Sequence, residues 1–250
     1  MADNINEFTL KLAKFFLEHN GRINTVSISG FIAYITMSLV HLGLIGQEKD
    51  QLCALLNCSS LSWDTLAMKR YVEYQCLNRF RMDEFLKIGS VKSAIFHSKP
   101  HGDIFKAMAL EVYDFQLQSI DATNNDRQIN TINEWAQQLQ DVPFRDIFIQ
   151  PFKDHLSLLI INEYFIRFQW KRQFIERAAS VRSFTNIDSN TKQFVMMRRI
   201  EYMKYINDKD MKASVVFVPL EENDMYAAVV LPFDDQNVLD LLKRMNVRVL

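Results

Sequence analysis

The sequence predicts a mixed α/β fold, and three observations predict it. Residues 155–174 read HLSLLIINEYFIRFQWKRQF, and from Leu156 to Phe168 they are nearly all apolar, β-branched or aromatic, with no Gly or Pro. Such a run reads as a long central strand buried on both faces. A helix is the weaker reading, because Ile160-Ile161 and Tyr164-Phe165-Ile166 are poor helix neighbours and the polar residues do not fall on one stripe. Apolar residues recur at helical spacing at Phe8, Leu12 and Phe15, and again at Ile129, Ile132 and Trp135. Two alternating segments, Ser214 to Pro219 and Met225 to Pro232, flank Glu221-Glu222-Asn223-Asp224 and predict a β-hairpin.

Taken in order, the first amphipathic helix stops at Asn20-Gly21. A short apolar stretch, Ile23 to Ile28, leads to a second helix from about Phe31 to Leu44, apolar almost all round and so internal, with Ser29 placed to cap it. Two or three helices follow between Gln47 and Arg81. Phe85 to Ile88 with Ala94 to Phe96 predicts a long strand, Ile104 to Tyr113 a helix, Phe115 to Ile120 a short strand, and Arg127 to Gln140 a helix lying on something apolar. A last helix, Asn237 to Met245, leads into Val247-Arg248-Val249-Leu250.

The chain has 250 residues, 48% hydrophobic and 24% charged, enough for one large domain or two small ones. Its formal net charge of −1 makes no electrostatic case for nucleic acid as the main partner. No run approaches a membrane span, and the N-terminus has neither the basic leader nor the unbroken apolar core of a secretory signal. Cys53, Cys58 and Cys76 form no C-x-x-C pair and no zinc framework with the scattered histidines, so no metal or cofactor is expected. The odd cysteine count favours a reducing, cytoplasmic setting, with an extracellular one as the alternative. Enzyme signatures such as G-x-S-x-G, H-E-x-x-H and G-x-x-x-x-G-K-S/T are absent from these residues.

Leu159-Ile160-Ile161-Asn162, then Phe165, then Trp170 four residues before Phe174, resemble the serpin stretch L-V-L-V-N-A-x-Y-F-x-G-x-W-x-x-x-F. Glu163 stands where that family usually has Ala, and Phe168 where it often has Gly. Ser29-Gly30-Phe31 through Leu42-Gly43-Leu44-Ile45-Gly46 is similar to the family's S-P-x-S-I … L-G-A-x-G run, with Gly30 in place of Pro. The Trp135 helix resembles the I-N-x-W-V helix that covers the main sheet. Phe184 with Phe194-Val195-Met196-Met197 resembles the V-P-M-M region, and the hairpin closing on Val229-Val230-Leu231-Pro232 resembles the I-L-P hairpin.

The resemblance implies a serpin-like fold over residues 1–250 as a single domain, with N-terminal helices around a large mixed sheet and a second, smaller antiparallel sheet. It marks Ser29, Asn162, Trp170, Phe184, Met196, Met197 and Pro232 as family structural positions, with Ser29 and Asn162 close together beneath the main sheet. It also implies a weak polyanion site at Lys69, Arg70, Arg79 and Arg81, a reading opposed by the interleaved Glu73, Asp83 and Glu84. The implied function is suicide-substrate inhibition of a serine endopeptidase, with a cysteine peptidase as the other target class, by insertion of a cleaved reactive loop. No stretch carries the Glu-Gly-x-Glu-Ala hinge, and Val247 to Leu250 resembles the opening of the family's next strand. The expectation is therefore a chain truncated at its C-terminal end, not inhibitory alone and able to self-associate through open sheet edges. The alternative is a non-inhibitory serpin-like binding protein or a truncated isoform.

Overall fold

A computed structural model describes residues 2–19, 26–57, 89–138, 147–150, 156–185, 190–233 and 236–245. The chain divides into two compact bodies, Ile35–Arg167 and Met1–Tyr34 with Phe168–Leu250. Helix α2 (Gly30–Gly43) begins in the second body and ends in the first.

The first body is a three-stranded mixed sheet between helices. It holds α3 (Gly46–Leu55), β1 (Gly89–His97), α4 (Asp103–Ala107), β2 (Phe115–Ser119), α5 (Asn125–Gln137) and β3 (Leu158–Ile166). The sheet order is β2-β1-β3, with β1 parallel to β2 and antiparallel to β3. Parallel neighbours need a crossover, which α4 supplies. The sequence predicts one helix over 104–113, whereas α4 gives way to a π-helical turn at Met108–Val112, closed by the Tyr113 amide donating to the Met108 carbonyl at 3.1 Å.

Asn124 caps α5, its Oδ1 accepting from the Arg127 amide at 2.9 Å. The helix buries Gln128, Ile129, Ile132, Trp135 and Ala136, a stripe at spacings of three and four. That stripe sits on Ala94, Phe96, Leu159 and Ile161 on one face of the sheet. Leu39 of α2, with Phe105 and Ala109, covers Ile95, Phe115 and Ile160 on the other. Covered on both sides, Ala94, Ile95 and Phe96 have no solvent exposure.

Among the described residues the strand with a neighbour on each edge is β1, whereas the 156–168 segment, read from sequence as the central strand, has one. That segment shortens to β3, whose residues are mostly only half-buried because it has a single strand partner among the described residues. Its apolar run was the more conspicuous in sequence, but β1 is the strand with a neighbour on each edge.

The second body contains α1 (Ala2–His19), the first turns of α2, and five strands: β4 (Ile175–Thr185), β5 (Thr191–Arg198), β6 (Lys204–Asp208), β7 (Ala213–Pro219) and β8 (Tyr226–Pro232), followed by α6 (Val238–Arg244). Phe8 of α1 meets Tyr34 edge-on at 5.9 Å, and α1 also packs on α6. Gly30, where the resembling family has Pro, has a local reason. A Cβ there would collide with Thr9 Oγ1, which is itself held by a 2.7 Å bond to the Ile5 carbonyl.

The antiparallel part comes as two sheets where the sequence suggested one: a β4–β5 ribbon and the sheet β6-β7-β8. Leu241 of α6, capped by Asn237, packs on Met211, Ala213 and Val215. Val181, Val195, Tyr202 and Leu231 are well exposed, Val195 at 73%.

Candidate functional site

The candidate site is the β1–β3 pair and the open side of β3. These strands run in unbroken register from Gly89 opposite Ile166 to His97 opposite Leu158. Side chains alternate across a strand. Leu159, Ile161 and Glu163 therefore face α5, while Ile160 and Asn162 face the α2 side.

Asn162 is directly opposite Ser93, and the Ser93 hydroxyl donates to its Oδ1 at 2.8 Å. An amide inside an apolar strand thus finds its partner on the neighbouring strand, and the pair clasps the middle of the ladder. The sequence reading missed Ser93. Its signal was a lone hydroxyl beside Ala94-Ile95-Phe96, a position where a buried polar group needs a partner. Asn162→Ala is expected to cost about 1–3 kcal/mol by stranding the buried Ser93 hydroxyl. Asn162→Leu with Ser93→Ala should restore much of that loss, giving a favourable coupling in a double-mutant cycle followed by urea melts.

Glu163 is directly opposite Lys92. One carboxylate oxygen, Oε2, is buried with no hydrogen-bond partner. Burial pushes the carboxyl pKa up, opposed by the Lys92 charge. Lys92 is shared with other groups: its Nζ donates to Gln138 Oε1 at 3.1 Å and stands 5.5 Å from the Trp135 ring centre. A carboxyl whose folded pKa exceeds its unfolded value loses stability as pH rises through that interval. Glu163→Ala should therefore stabilise the protein at pH 7 by about 1 kcal/mol. The gain should fade as pH falls through the raised folded value and be gone below the ordinary glutamate value of about 4.3. Thermal melts at pH 4 and pH 7 check both halves.

The other family structural positions all belong to the second body. Ser29 caps α2, its Oγ accepting from the Ile32 amide at 3.3 Å. Trp170 is partly buried, edge-on to Phe168 at 5.6 Å and to Phe174 at 5.9 Å, and bridged to Leu220. Phe184 and Met197 are exposed on β4 and β5, Met196 is partly buried opposite Ser180, and Pro232 ends β8 opposite Ala213. Lys69, Arg70, Arg79 and Arg81 lie outside the described residues, as do Cys58, Cys76 and residues 246–250. His97 and His101 meet edge-on at 4.6 Å, and burial, with the His97 and Lys106 charges, lowers the His101 pKa. Among the described residues no group of three or more His, Cys, Asp or Glu gathers to hold a metal, and no helix is long and apolar enough to cross a membrane.

The solved structure of mouse protein-Z dependent protease inhibitor superposes with a TM-score of 0.83 at 17% identity, over 99% of this chain and 66% of that one. Reaction loop cleaved lamprey angiotensinogen superposes with a TM-score of 0.79 at 15% identity, over 99% of this chain and 72% of that one. At these identities the likeness is one of fold.

In sequence, the chain is 24% identical to leukocyte elastase inhibitor of Bos taurus over 248 residues, 95% of this chain but 62% of that protein. It is 26% identical to antichymotrypsin-2 of Bombyx mori over 142 residues, 55% of this chain and 37% of that protein. The chain thus spans under two thirds of the length of these curated relatives, which are named as inhibitors and not as catalysts. The sequence profile described as Serpin (serine protease inhibitor) matches residues 3–250. Sequence profile, fold and motif order agree that the chain belongs to the serpin family.

Proposed function

We propose that this chain is the scaffold of a serpin-type inhibitor of a serine endopeptidase, and that it works by accepting an inserted strand beside β3. The observation that carries the reading is β3 itself. It pairs along all nine residues with β1 on one side and has no strand partner on the other among the described residues. An open edge presents unpaired N–H and C=O groups as a template for another strand. Strand addition is a general recognition mode of which serpin loop insertion is itself a standing example. The names of the relatives support a serine endopeptidase as the partner class.

Residues 1–250 hold no Glu-Gly-x-Glu-Ala hinge, so no residue of this chain is assigned as the bait. The 250-residue chain alone is expected to form no complex that survives boiling in detergent with trypsin-, chymotrypsin-, elastase- or papain-like peptidases. Such a complex would mean that a segment read as scaffold serves as bait. An extended peptide of small, hinge-like residues should occupy the β3 edge and raise the thermal midpoint by mass action. No shift at saturating peptide would sink the open-edge reading. Exposed Val181, Val195 and Leu231 support self-association.

A further inference from the structure

We propose that one face of the β4–β5 ribbon binds single-stranded nucleic acid. The whole-chain charge of −1 hides a local asymmetry: from Arg167 to Arg199 there are eight basic residues against two acidic ones, Glu176 and Asp188. The potential a ligand meets is set by such local clustering and not by the net charge. Arg172 and Arg199 are spent on Glu201. Arg182, Lys192 and Arg198 enter no ion pair among the described residues and all three are exposed, Arg182 donating from Nε to the Ser180 hydroxyl at 3.3 Å and keeping its terminal nitrogens outward of that bond.

Their register places them together. Arg182 is directly opposite Phe194, and Phe184 directly opposite Lys192. Because side chains alternate, Arg182 and Phe184 of β4 share a face with Lys192, Phe194 and Arg198 of β5. Each aromatic ring on this face has a cation across the ladder. The rings are 52% and 48% exposed, edge-on to one another at 6.2 Å.

The reverse face differs. Val181, Ser183, Gln193 and Val195 carry no charge, and the Gln193 amide donates to Ser183 Oγ at 2.9 Å. Over the regularly paired stretch, residues 180–185 with 191–196, one face therefore combines exposed aromatic rings with cations that meet no carboxylate, and the other has neither.

Cations alone would suit any polyanion. The interleaved phenylalanines select among polyanions, because a single strand offers both phosphates to the cations and unstacked base faces to the rings. A duplex hides its base faces, and a sulfated polysaccharide has none.

The test is fluorescence anisotropy of the 250-residue chain with a labelled oligodeoxythymidine of about 12 nucleotides, within the range of single-stranded sites. Neutralising about three phosphates predicts a roughly 20-fold loss of affinity between 50 and 200 mM salt. Phe194→Leu should weaken binding about tenfold through lost stacking without changing the salt slope. Arg182→Gln with Lys192→Gln should weaken it and make the slope shallower by about 1.4. Gln193→Ser on the reverse face should leave affinity unchanged. Every one of these positions is exposed, and circular dichroism of each variant confirms that the fold is kept.

Absence of binding at 50 mM salt overturns the proposal. Equal affinity for duplex also overturns it, as does binding indifferent to Phe194→Leu and displaced equally well by a sulfated polysaccharide. The last result would leave only a nonselective polyanion patch.

Discussion

Trp135→Ala is expected to remove about 3–5 kcal/mol of stability, a large share of the roughly 5–15 kcal/mol that holds a domain folded. Trp135 is 2% exposed and meets Phe96 edge-on at 5.7 Å, inside the cluster that fastens α5 to the sheet. Truncation leaves a cavity that Ile132 and Ala136, fixed on the same helix face, cannot collapse to fill. Its indole N–H donates to Gln116 Oε1 at 2.8 Å. Gln116 is exposed and can turn to water, so lost packing accounts for most of the cost. Trp135→Phe should therefore be much milder than Trp135→Ala, and Gln116→Ala milder still, by less than about 1 kcal/mol. Chemical melts of the three variants test that order, and equal losses for Gln116→Ala and Trp135→Ala would shift the weight to the hydrogen bond.

Gly89→Ala is expected to cost about 1–3 kcal/mol or more and to open one end of the β1–β3 ladder. A Cβ at Gly89 would collide with the backbone carbonyl oxygen of Phe165. A flexible side chain could turn away, but a carbonyl held in a ladder cannot move without unpairing its neighbours. The loss should be local, with faster amide exchange at Phe165 and Ile166 and little change near His97 and Leu158, at the far end of the same register. Uniform loss of protection along β3 would show that the ladder opens as one unit. The same position bears on the proposed function, because a strand added beside β3 needs β3 held straight by β1.

Local order was legible because it is periodic. Ile129, Ile132 and Trp135 recur as a helix recurs, and Ser214 to Pro219 with Met225 to Pro232 alternate as a hairpin alternates, so elements were found within a few residues of their bounds. Ser29 as a helix cap was legible for the same reason, since a cap acts on amides three residues away. Asn162 was singled out because an amide in an apolar run must be satisfied. Its partner, 69 residues away, could not be read from the same run. Gly30 was visible as a departure from a resembling motif, while its cause, Thr9, belongs to another helix.

What the sequence determined by itself is the class of fold, the family and the order of elements, because these rest on hydrophobic period, turn chemistry and motif spacing, all carried within short windows. Tertiary structure alone decided that, among the described residues, β1 is paired on both edges and β3 on one. Burial depends on how many neighbours a strand has, which an apolar run does not state. Pairing likewise decided the surroundings of individual groups. It set Glu163 against Lys92 with an oxygen unsatisfied, closed Ser93 onto Asn162, and brought Arg182 and Lys192 onto one face with two phenylalanines. These are long-range juxtapositions, fixed by register between strands, and register is a property of the folded pair and not of either segment.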